Sequence, residues 1–154
     1  MRGPTPEVRV FDRQRRLLPP ARRLASVARS VLRHGRWRGG TVEVTLVDDR
    51  TLRRLHRRFL GDPRPTDVMA FDYRGDPGPS GGEVVVSADR ALAESRRRGH
   101  ALLEEIALYV AHGCLHLCGF RDGTPRQARA MRRAEAEALR RVGIPHRFDR
   151  SPPL

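Results

Sequence analysis

Residues 111–122 have the sequence AHGCLHLCGFRD and span the end of a long predicted helix, Leu102–Cys118. Residues four positions apart share one face of a helix, with Cβ atoms roughly 5–6 Å apart, so His112 and His116 can reach one metal ion. Gly119 can adopt the left-handed conformation that ends a helix, which lets the chain fold back. Asp122 then becomes available as a third ligand. Paired histidines are also common as ordinary polar residues, but the added glycine and carboxylate favour the metal site.

The spacing H-x-x-x-H-x-x-G-x-x-D is that of an extended zincin site with two changes. Gly113 stands where a metalloprotease of this type has its glutamate general base, and Asp122 stands where the third histidine is usual. A peptidase needs a carboxylate beside the metal-bound water, and glycine has no side chain. The sequence therefore predicts a zincin-like metal helix but disfavours protease chemistry.

Size and charge limit the classes of protein to consider. The chain has 154 residues, which predicts one domain over residues 1–154. Its formal net charge is +13, and it contains arginine but no lysine. A basic excess favours a polyanionic partner, with nucleic acid first, although the absence of lysine also indicates a compositional bias of the genome.

The sequence shows neither an apolar run long enough to span a membrane nor a signal peptide, so we expect a cytoplasmic protein without a membrane partner.

Hydrophobic periodicity and turn residues predict an α+β fold, with a small mixed central sheet of about four strands covered by about five helices. We predict a loop over Gly75–Gly82 and a loose tail over His146–Leu154. The predicted elements are strand Val8–Phe11, helix Arg22–Arg33, strand Thr41–Val47, a helix from Asp48 or Asp49 to Leu60, strands Thr66–Tyr73 and Glu83–Ser87, a helix capped by Ser87 or Asp89 and running to Arg98, helix Leu102–Cys118, and a helix from Thr124 or Pro125 to Val142.

The helix that ends at Leu60 has two chemically different faces. Leu52, Leu55 and Phe59 fall on one side of it. The other side carries an arginine stripe made of Arg50, Arg53, Arg54, Arg57 and Arg58. Such a stripe suits a phosphate backbone, and it is equally what an ordinary amphipathic helix looks like in an arginine-rich protein. Both interpretations stay open.

Three blocks in the same order resemble the YbeY family of bacterial endoribonucleases and rRNA maturation factors. Residues 112–120, HGCLHLCGF, resemble the family signature H-G-x-L-H-L-x-G-[YF]. Residues 65–71, PTDVMAF, are similar to its P-T-D-V-L-S-F block. Residues 82–87, GEVVVS, look like its G-D-I-x-I-S segment with Glu for Asp. The resemblance that these blocks carry extends over residues 41 to about 140.

The resemblance implies a metal-dependent, single-strand-specific endoribonuclease built on a small α+β domain. It implies a role in maturation of the 3′ end of 16S rRNA and in ribosome quality control, with single-stranded RNA and the small ribosomal subunit as partners. The implied metal is zinc held by three histidines, of which His112 and His116 match the first two. The catalytic candidates are Arg57, Arg58 and Asp67, and Asp67 can either line the site or be an ordinary turn residue at the start of a strand.

The chain departs from the family pattern at two positions. An ungapped match puts Asp122 at the third histidine, and a shift by one residue puts Gly123 there instead. We prefer Asp122, because aspartate can ligate zinc, and its harder oxygen also makes manganese or magnesium more tolerable. The family has an arginine in the helix before P-T-D, and Leu60 stands at its place with Arg57, Arg58 and Arg64 nearby.

The residues around the predicted ligands leave alternatives open. Glu105 lies seven residues before His112, on nearly the same helical face. It can hydrogen-bond the imidazole of His112 on the side away from the metal and so orient it. Alternatively, it is an exposed or capping residue. If Asp122 is not a ligand, then His100, His146 or water has to supply the third donor.

Two other functions compete with the nuclease. One is an RNA- or ribosome-binding assembly factor with a structural or vestigial metal, which the altered ligand set makes plausible. The other is a hydrolase that acts on a substrate other than RNA. The net charge and the resemblance both argue against this second alternative.

Overall fold

The computed structural model describes residues 5–14, 20–61, 66–75 and 80–146. Four strands and five helices lie in these ranges, which confirms the predicted α+β class. In chain order they are β1 (Val8–Asp12), α1 (Ala21–His34), β2 (Thr41–Val47), α2 (Asp49–Leu60), β3 (Val68–Asp72), β4 (Ser80–Ser87), α3 (Ala88–Arg98), α4 (Leu102–Leu117) and α5 (Pro125–Arg141).

The sheet is mixed and has the strand order β1-β2-β4-β3. Strands β1, β2 and β4 run parallel, whereas β3 pairs antiparallel with β4 and forms an edge. Val44 is paired with Val10 on one side and with Val84 on the other. Successive side chains of a strand point to opposite faces, so Val42, Val44 and Leu46 all enter the core on the same face.

Helix α4 forms the centre of the main core. It packs against α1, α3 and α5 and against strands β3 and β4. A helix surrounded in this way has to be apolar on nearly all sides, and Ile106, Val110, Ala111 and Cys114 are fully buried. Even so, no helix in the described ranges has both the length and the apolarity to cross a membrane.

Helix α2 covers the other face of the sheet. Leu52 packs there with Val47, Met69 and Val85 in a second, smaller core, with Phe71 at its margin. Because α2 and α4 lie on opposite faces, the edge strand β3 lies between them. This arrangement creates the cleft described below.

The structure shows which of the two residues considered at each predicted helix start is the N-cap. Asp48, Ser87 and Thr124 are the N-caps of α2, α3 and α5. Each side chain accepts a hydrogen bond from a backbone N–H three residues later, which satisfies a donor that the helix leaves unpaired.

The predicted loop over Gly75–Gly82 is partly wrong, because Ser80, Gly81 and Gly82 belong to β4. Glycine is needed there for close packing rather than for a turn. A Cβ at Gly81 would lie 1.4 Å from the carbonyl oxygen of Gly39. Glycines inside a strand often mark such a close backbone approach. Residues 76–79 of the predicted loop and 147–154 of the predicted tail lie outside the described ranges, and His146 itself is half-buried.

Gly113 brings α4 unusually close to the sheet. A Cβ at this position would lie 2.5 Å from Cγ1 of Val84 and 3.2 Å from Cγ2 of Val68. No larger residue fits without moving the helix away from the strands. The position that holds the glutamate base in a metalloprotease is therefore sterically closed here.

We expect Gly113→Ala to lower the free energy of unfolding by about 1–3 kcal/mol, because it overpacks a filled core. Combining it with Val84→Ala should recover part of that loss, since the clashing methyl groups are gone. Chemical denaturation of the single and double variants measures the coupling. Gly123→Ala is the control, because its Cβ would meet only Gln127 Oε1 at 3.7 Å. Equal effects at the two glycines would contradict the packing argument.

Candidate metal centre and nucleic-acid cleft

A cleft of about 660 Å³ opens between α2, the edge strand β3 and α4. One wall carries the three predicted metal ligands, and the opposite wall comes from the end of α2. Its lining residues are His56, Phe59, Leu60, Thr66, Asp67, Val68, Met69, Ala70, Phe71, His112, His116 and Asp122. The cleft is thus polar on the α4 side, and on the α2 side it presents the apolar Phe59 and Leu60 beside His56.

The three predicted ligands form a compact triangle of donor atoms. Nε2 of His112 lies 3.1 Å from Nε2 of His116, and Oδ2 of Asp122 lies 3.3 Å and 3.5 Å from these two nitrogens. Two ligand atoms of a tetrahedral zinc with bonds of 2.0–2.1 Å are about 3.3 Å apart. The triangle therefore fits one face of such a coordination sphere, and these residues are able to hold a metal ion.

The end of α4 explains how Asp122 reaches the histidines. Gly119 has a φ of +99°, and its N–H donates to the carbonyl of His116. The N–H of Phe120 donates to the carbonyl of Leu115. This pair of bonds is a Schellman motif, which reverses the chain after a helix. The reversal brings Asp122 back over the face that carries the two imidazoles.

Glu135 on α5 contacts His112, the first predicted ligand, and the sequence prediction missed this contact. Its Oε2 lies 3.1 Å from Nδ1 of His112. If Nδ1 donates to this carboxylate, the lone pair of Nε2 points into the cleft, as metal binding requires. The helical spacing could have revealed it, because Glu135 shares the buried face of α5 with Met131, Ala138 and Leu139. A carboxylate on such a face needs a partner, since burying it unpaired costs free energy.

The surroundings of His112 also affect its protonation. Burial lowers the pKa of His112, but the hydrogen bond to Glu135 and the charges of Glu135, Asp122 and Asp67 together raise it above the ordinary value. Three carboxylates thus favour a positive charge at the position where a cation would bind.

Both interpretations of Glu105 are wrong. Its side chain is fully buried, so it is neither exposed nor an N-terminal cap. It also does not orient His112, because its Oε1 lies 2.5 Å from Nε2 of His100 and 3.7 Å from the guanidinium of Arg98. The side chain turns toward the start of α4, where this pair stabilises the turn from α3. Neither His100 nor His146 joins the ligand group, so neither is needed as a third donor.

The predicted catalytic residues lie in three different surroundings. Asp67 lines the cleft and is half-buried. Arg57 lies beside the cleft in a basic groove of about 390 Å³, which it lines with Asp49, Arg50, Arg53 and Arg54. Arg58 is exposed, with its guanidinium 5.5 Å from the ring centroid of Phe59. Only Asp67 shares the cleft with the ligands.

The sequence prediction also missed the α2 side of the cleft. His56, Phe59 and Leu60 follow an i, i+3, i+4 pattern, so they share one face, and that face lies opposite the ligands. Leu60, where the resemblance places an arginine, is 64% exposed and offers apolar contact instead of charge. The sequence shows the spacing of these three residues. Only the tertiary fold shows that they face the predicted metal ligands.

Both cysteines are free thiols that pack in or against the main core. Cys114 is fully buried, and Cys118 is partly buried at the end of α4. Burial raises the pKa of Cys118 to about 11, so its thiol is protonated at neutral pH. A protonated thiol is a poor metal ligand.

Comparisons with known proteins find similar sequences over most of the chain. A family model described as Endoribonuclease YbeY matches residues 12–143. A Rhodopirellula baltica protein named Endoribonuclease YbeY is 40% identical over 107 residues, covering 68% of this chain and 55% of the relative. A Myxococcus xanthus protein of that name is 38% identical over 129 residues, covering 80% and 44%. The chain thus spans about half the length of these two relatives. For an Anaeromyxobacter protein of the same name, identity is 37% over 139 residues and coverage is 89% and 72%.

A solved structure supports the fold alone. The solution structure of a Thermotoga maritima protein matches with a TM-score of 0.56 at 21% sequence identity. The match covers 93% of this chain and 99% of that one.

Glu135→Gln should weaken metal binding roughly 10–100-fold, because a neutral amide is a poorer partner for His112 Nδ1. Competition with a chromophoric chelator measures the affinity. Glu137→Gln on the same helix is the control, since Glu137 pairs with Arg140 and Arg141 away from the cleft. Similar losses in both variants would show that charge on α5, rather than this contact, sets the affinity.

Replacing Asp122 tests the third ligand. Asp122→Ala should weaken metal binding, whereas Asp122→His should keep it at neutral pH. A carboxyl group ionises near pH 4 and an imidazole loses its proton only near pH 6.5, about these values in model peptides. Binding by Asp122→His should therefore fall more steeply than wild-type binding between pH 7 and pH 5. Wild-type affinity in Asp122→Ala would exclude Asp122 as a ligand.

Proposed function

Since this chain belongs to the endoribonuclease YbeY family, we propose that it is a metal-dependent endoribonuclease specific for single-stranded RNA. Its site of action is the 3′ end of 16S rRNA on the small ribosomal subunit, in the cytoplasm, with a role in ribosome quality control. The observation that carries this proposal is the triangle of His112, His116 and Asp122 in an open cleft beside an arginine-rich helix.

Zinc is the metal that best suits these donors. Two imidazole nitrogens and one carboxylate oxygen are common zinc ligands, and three protein ligands leave a fourth position open, as in catalytic sites. Manganese or magnesium is more tolerable than in a three-histidine site, although affinity still favours zinc. A bound ion would polarise a phosphoryl oxygen and lower the pKa of a water molecule.

The protein residues position the substrate and the ligands. Glu135 holds the ring of His112, and Asp122 lowers the net positive charge of the site by one. Asp67, half-buried in the cleft, can accept a hydrogen bond from a water or a ribose hydroxyl. Arg57 and Arg58 flank the cleft, where a guanidinium can stabilise the negative charge that develops on the phosphate.

The charge distribution supports RNA as the substrate. Four arginines of α2, namely Arg50, Arg53, Arg54 and Arg57, line one groove beside the cleft. A strand held in this groove by its phosphates can pass the metal ligands while its bases face the protein. Because the net charge is +13, association with a polyanion such as rRNA is also favoured at long range.

Cleavage of RNA by the zinc-loaded protein, purified without a histidine tag, tests the proposal. An end-labelled single strand should be cut internally, the matching duplex should resist, and chelator should stop the reaction. His116→Ala should lose more activity than the roughly 10–100-fold typical of an outer-shell substitution. The exposed His34 on α1 provides the control variant His34→Ala, which should cut normally.

Two outcomes would contradict the nuclease. Tight binding of rRNA without any cleavage by the zinc-loaded protein would favour the assembly factor. Cleavage that survives in His116→Ala would mean that the cut is made elsewhere or by a contaminant.

A further inference from the structure

The apolar wall of the cleft is formed by two neighbouring side chains at the end of α2. Phe59 is 56% exposed and Leu60 is 64% exposed, the highest values among large hydrophobic residues in the described ranges. Both line the cleft that holds the metal ligands. Single exposed apolar residues are ordinary on protein surfaces, but a contiguous apolar surface inside a candidate active site indicates binding.

The Phe59 ring is anchored by a row of aromatic residues. Its centroid lies 5.4 Å from that of Phe71, and the two planes make an angle of 71°. Phe71 in turn is nearly parallel to Tyr73, at 6.1 Å and 5°. The hydroxyl of Tyr73 donates to Oε1 of Glu83, 3.2 Å away. We call Phe59, Phe71 and Tyr73 the aromatic ledge.

The ledge is attached to the fold at its inner end and open at its outer end. Phe71 packs on the second core beside Val85 and Met69, whereas Phe59 stays more than half exposed. An edge-to-face contact with a fixed neighbour limits the orientations of the exposed ring. The protein therefore presents a preoriented flat surface to the cleft.

Cations border this surface. The guanidinium of Arg58 lies over the Phe59 ring, 5.5 Å from its centroid. Arg57 and Arg54 line the adjacent basic groove on the same helix. A ring that accepts a planar guanidinium also accepts other planar groups, and nucleobases stack both on aromatic rings and on arginine planes.

We propose that the aromatic ledge stacks one unpaired nucleobase of an RNA strand, with Phe59 as the platform and Arg58 closing over the base. Arginines of the basic groove hold neighbouring phosphates, so base and backbone contact different faces of α2. This inference rests on the proposed function and deepens it. It gives single-strand preference a physical cause, because a base in a duplex is already stacked and paired and cannot reach Phe59.

The surroundings favour a nucleobase over a peptide as the occupant. An apolar peptide would cover Phe59 and Leu60 but would leave the bordering arginines without an anionic partner. A nucleotide satisfies both features, because a flat apolar base and a negative phosphate are joined in one unit. Arg54 and Arg57 lie within two turns of Phe59 on the same helix. A base on Phe59 and its own or the adjacent phosphate can therefore contact the ring and the arginines together.

A fluorescent base analogue gives a direct test. The probe is a short single-stranded RNA that contains 2-aminopurine, whose fluorescence falls when it stacks. It is titrated with the zinc-loaded full-length protein, and again with chelator present so that the strand stays intact. Wild-type protein should quench the probe, and Phe59→Trp and Phe59→Tyr should do so as well. Phe59→Leu keeps an apolar side chain without a flat ring, so it should lose the quenching and bind roughly tenfold more weakly.

The chain offers a matched control for this variant. Phe11 on β1 also carries an arginine over its ring, with the guanidinium of Arg13 at 5.6 Å. It lies on the strand at the opposite edge of the sheet from β3. Phe11→Leu should leave quenching and affinity unchanged, and thermal melting checks that both variants are folded.

Salt dependence separates stacking from electrostatics. Phe59→Leu should lower affinity without changing the slope of log K against log salt. The double variant Arg54→Gln/Arg57→Gln should instead reduce that slope by about 0.7 for each phosphate that it no longer neutralises. Arg22→Gln/Arg23→Gln, on exposed positions of α1, makes the same change in net charge away from the cleft.

The outcomes distinguish this inference from the proposed function. If wild-type protein neither binds nor cuts the strand, the proposed function fails. If wild-type protein binds and cuts, but Phe59→Leu matches Phe11→Leu in quenching and affinity, then stacking on the ledge is overturned while the nuclease stands. Loss of cleavage in Phe59→Leu with quenching retained would likewise overturn it.

Discussion

The close approach of α4 to the sheet at Gly113 is the constraint on which the site depends. Only a residue without a side chain lets the helix backbone lie against Val84 and Val68. This contact fixes the height of His112 and His116 beside the edge strand. The same contact removes the space for a glutamate at position 113. One packing requirement therefore both positions the candidate metal ligands and closes the place where a metalloprotease has its glutamate base.

Two buried carboxylates hold α4 in place at different points. Glu105 pairs with His100 near the start of the helix, and Glu135 pairs with His112 in its second half. A buried carboxylate without a partner is strongly destabilising, so each pair also fixes the relation between neighbouring helices. The pairs differ in consequence. The first pair connects structural elements, whereas the second also sets the orientation of a candidate metal ligand, His112.

Local sequence spacing predicted most of the helices and strands and the clustering of His112, His116 and Asp122. The i, i+4 histidines, the positive φ of Gly119 and the return to Asp122 depend on short-range geometry, which spacing encodes. The errors concern contacts between distant segments. The glycines and prolines around Gly81 predict a loop. The sequence does not show that the backbone of Gly39 lies against Gly81, which is why glycine is needed in the strand. Glu105 was linked to His112 by helical face alone, although the turn before α4 gives it a nearer partner.

Helix α2 has an arginine-rich face and an apolar face, and charge on the first face cannot by itself distinguish one polyanion from another. A protein with a net charge of +13 attracts any polyanion, and phosphate contacts do not distinguish a single strand from a duplex or RNA from DNA. Discrimination has to come from short-range shape near the metal ligands. In the duplex the base faces are hidden, and only the phosphates remain to be recognised. If the proposed function and the aromatic ledge hold, long-range attraction by arginine would set how fast a strand arrives, and the apolar end of α2 would determine which strands can enter the cleft.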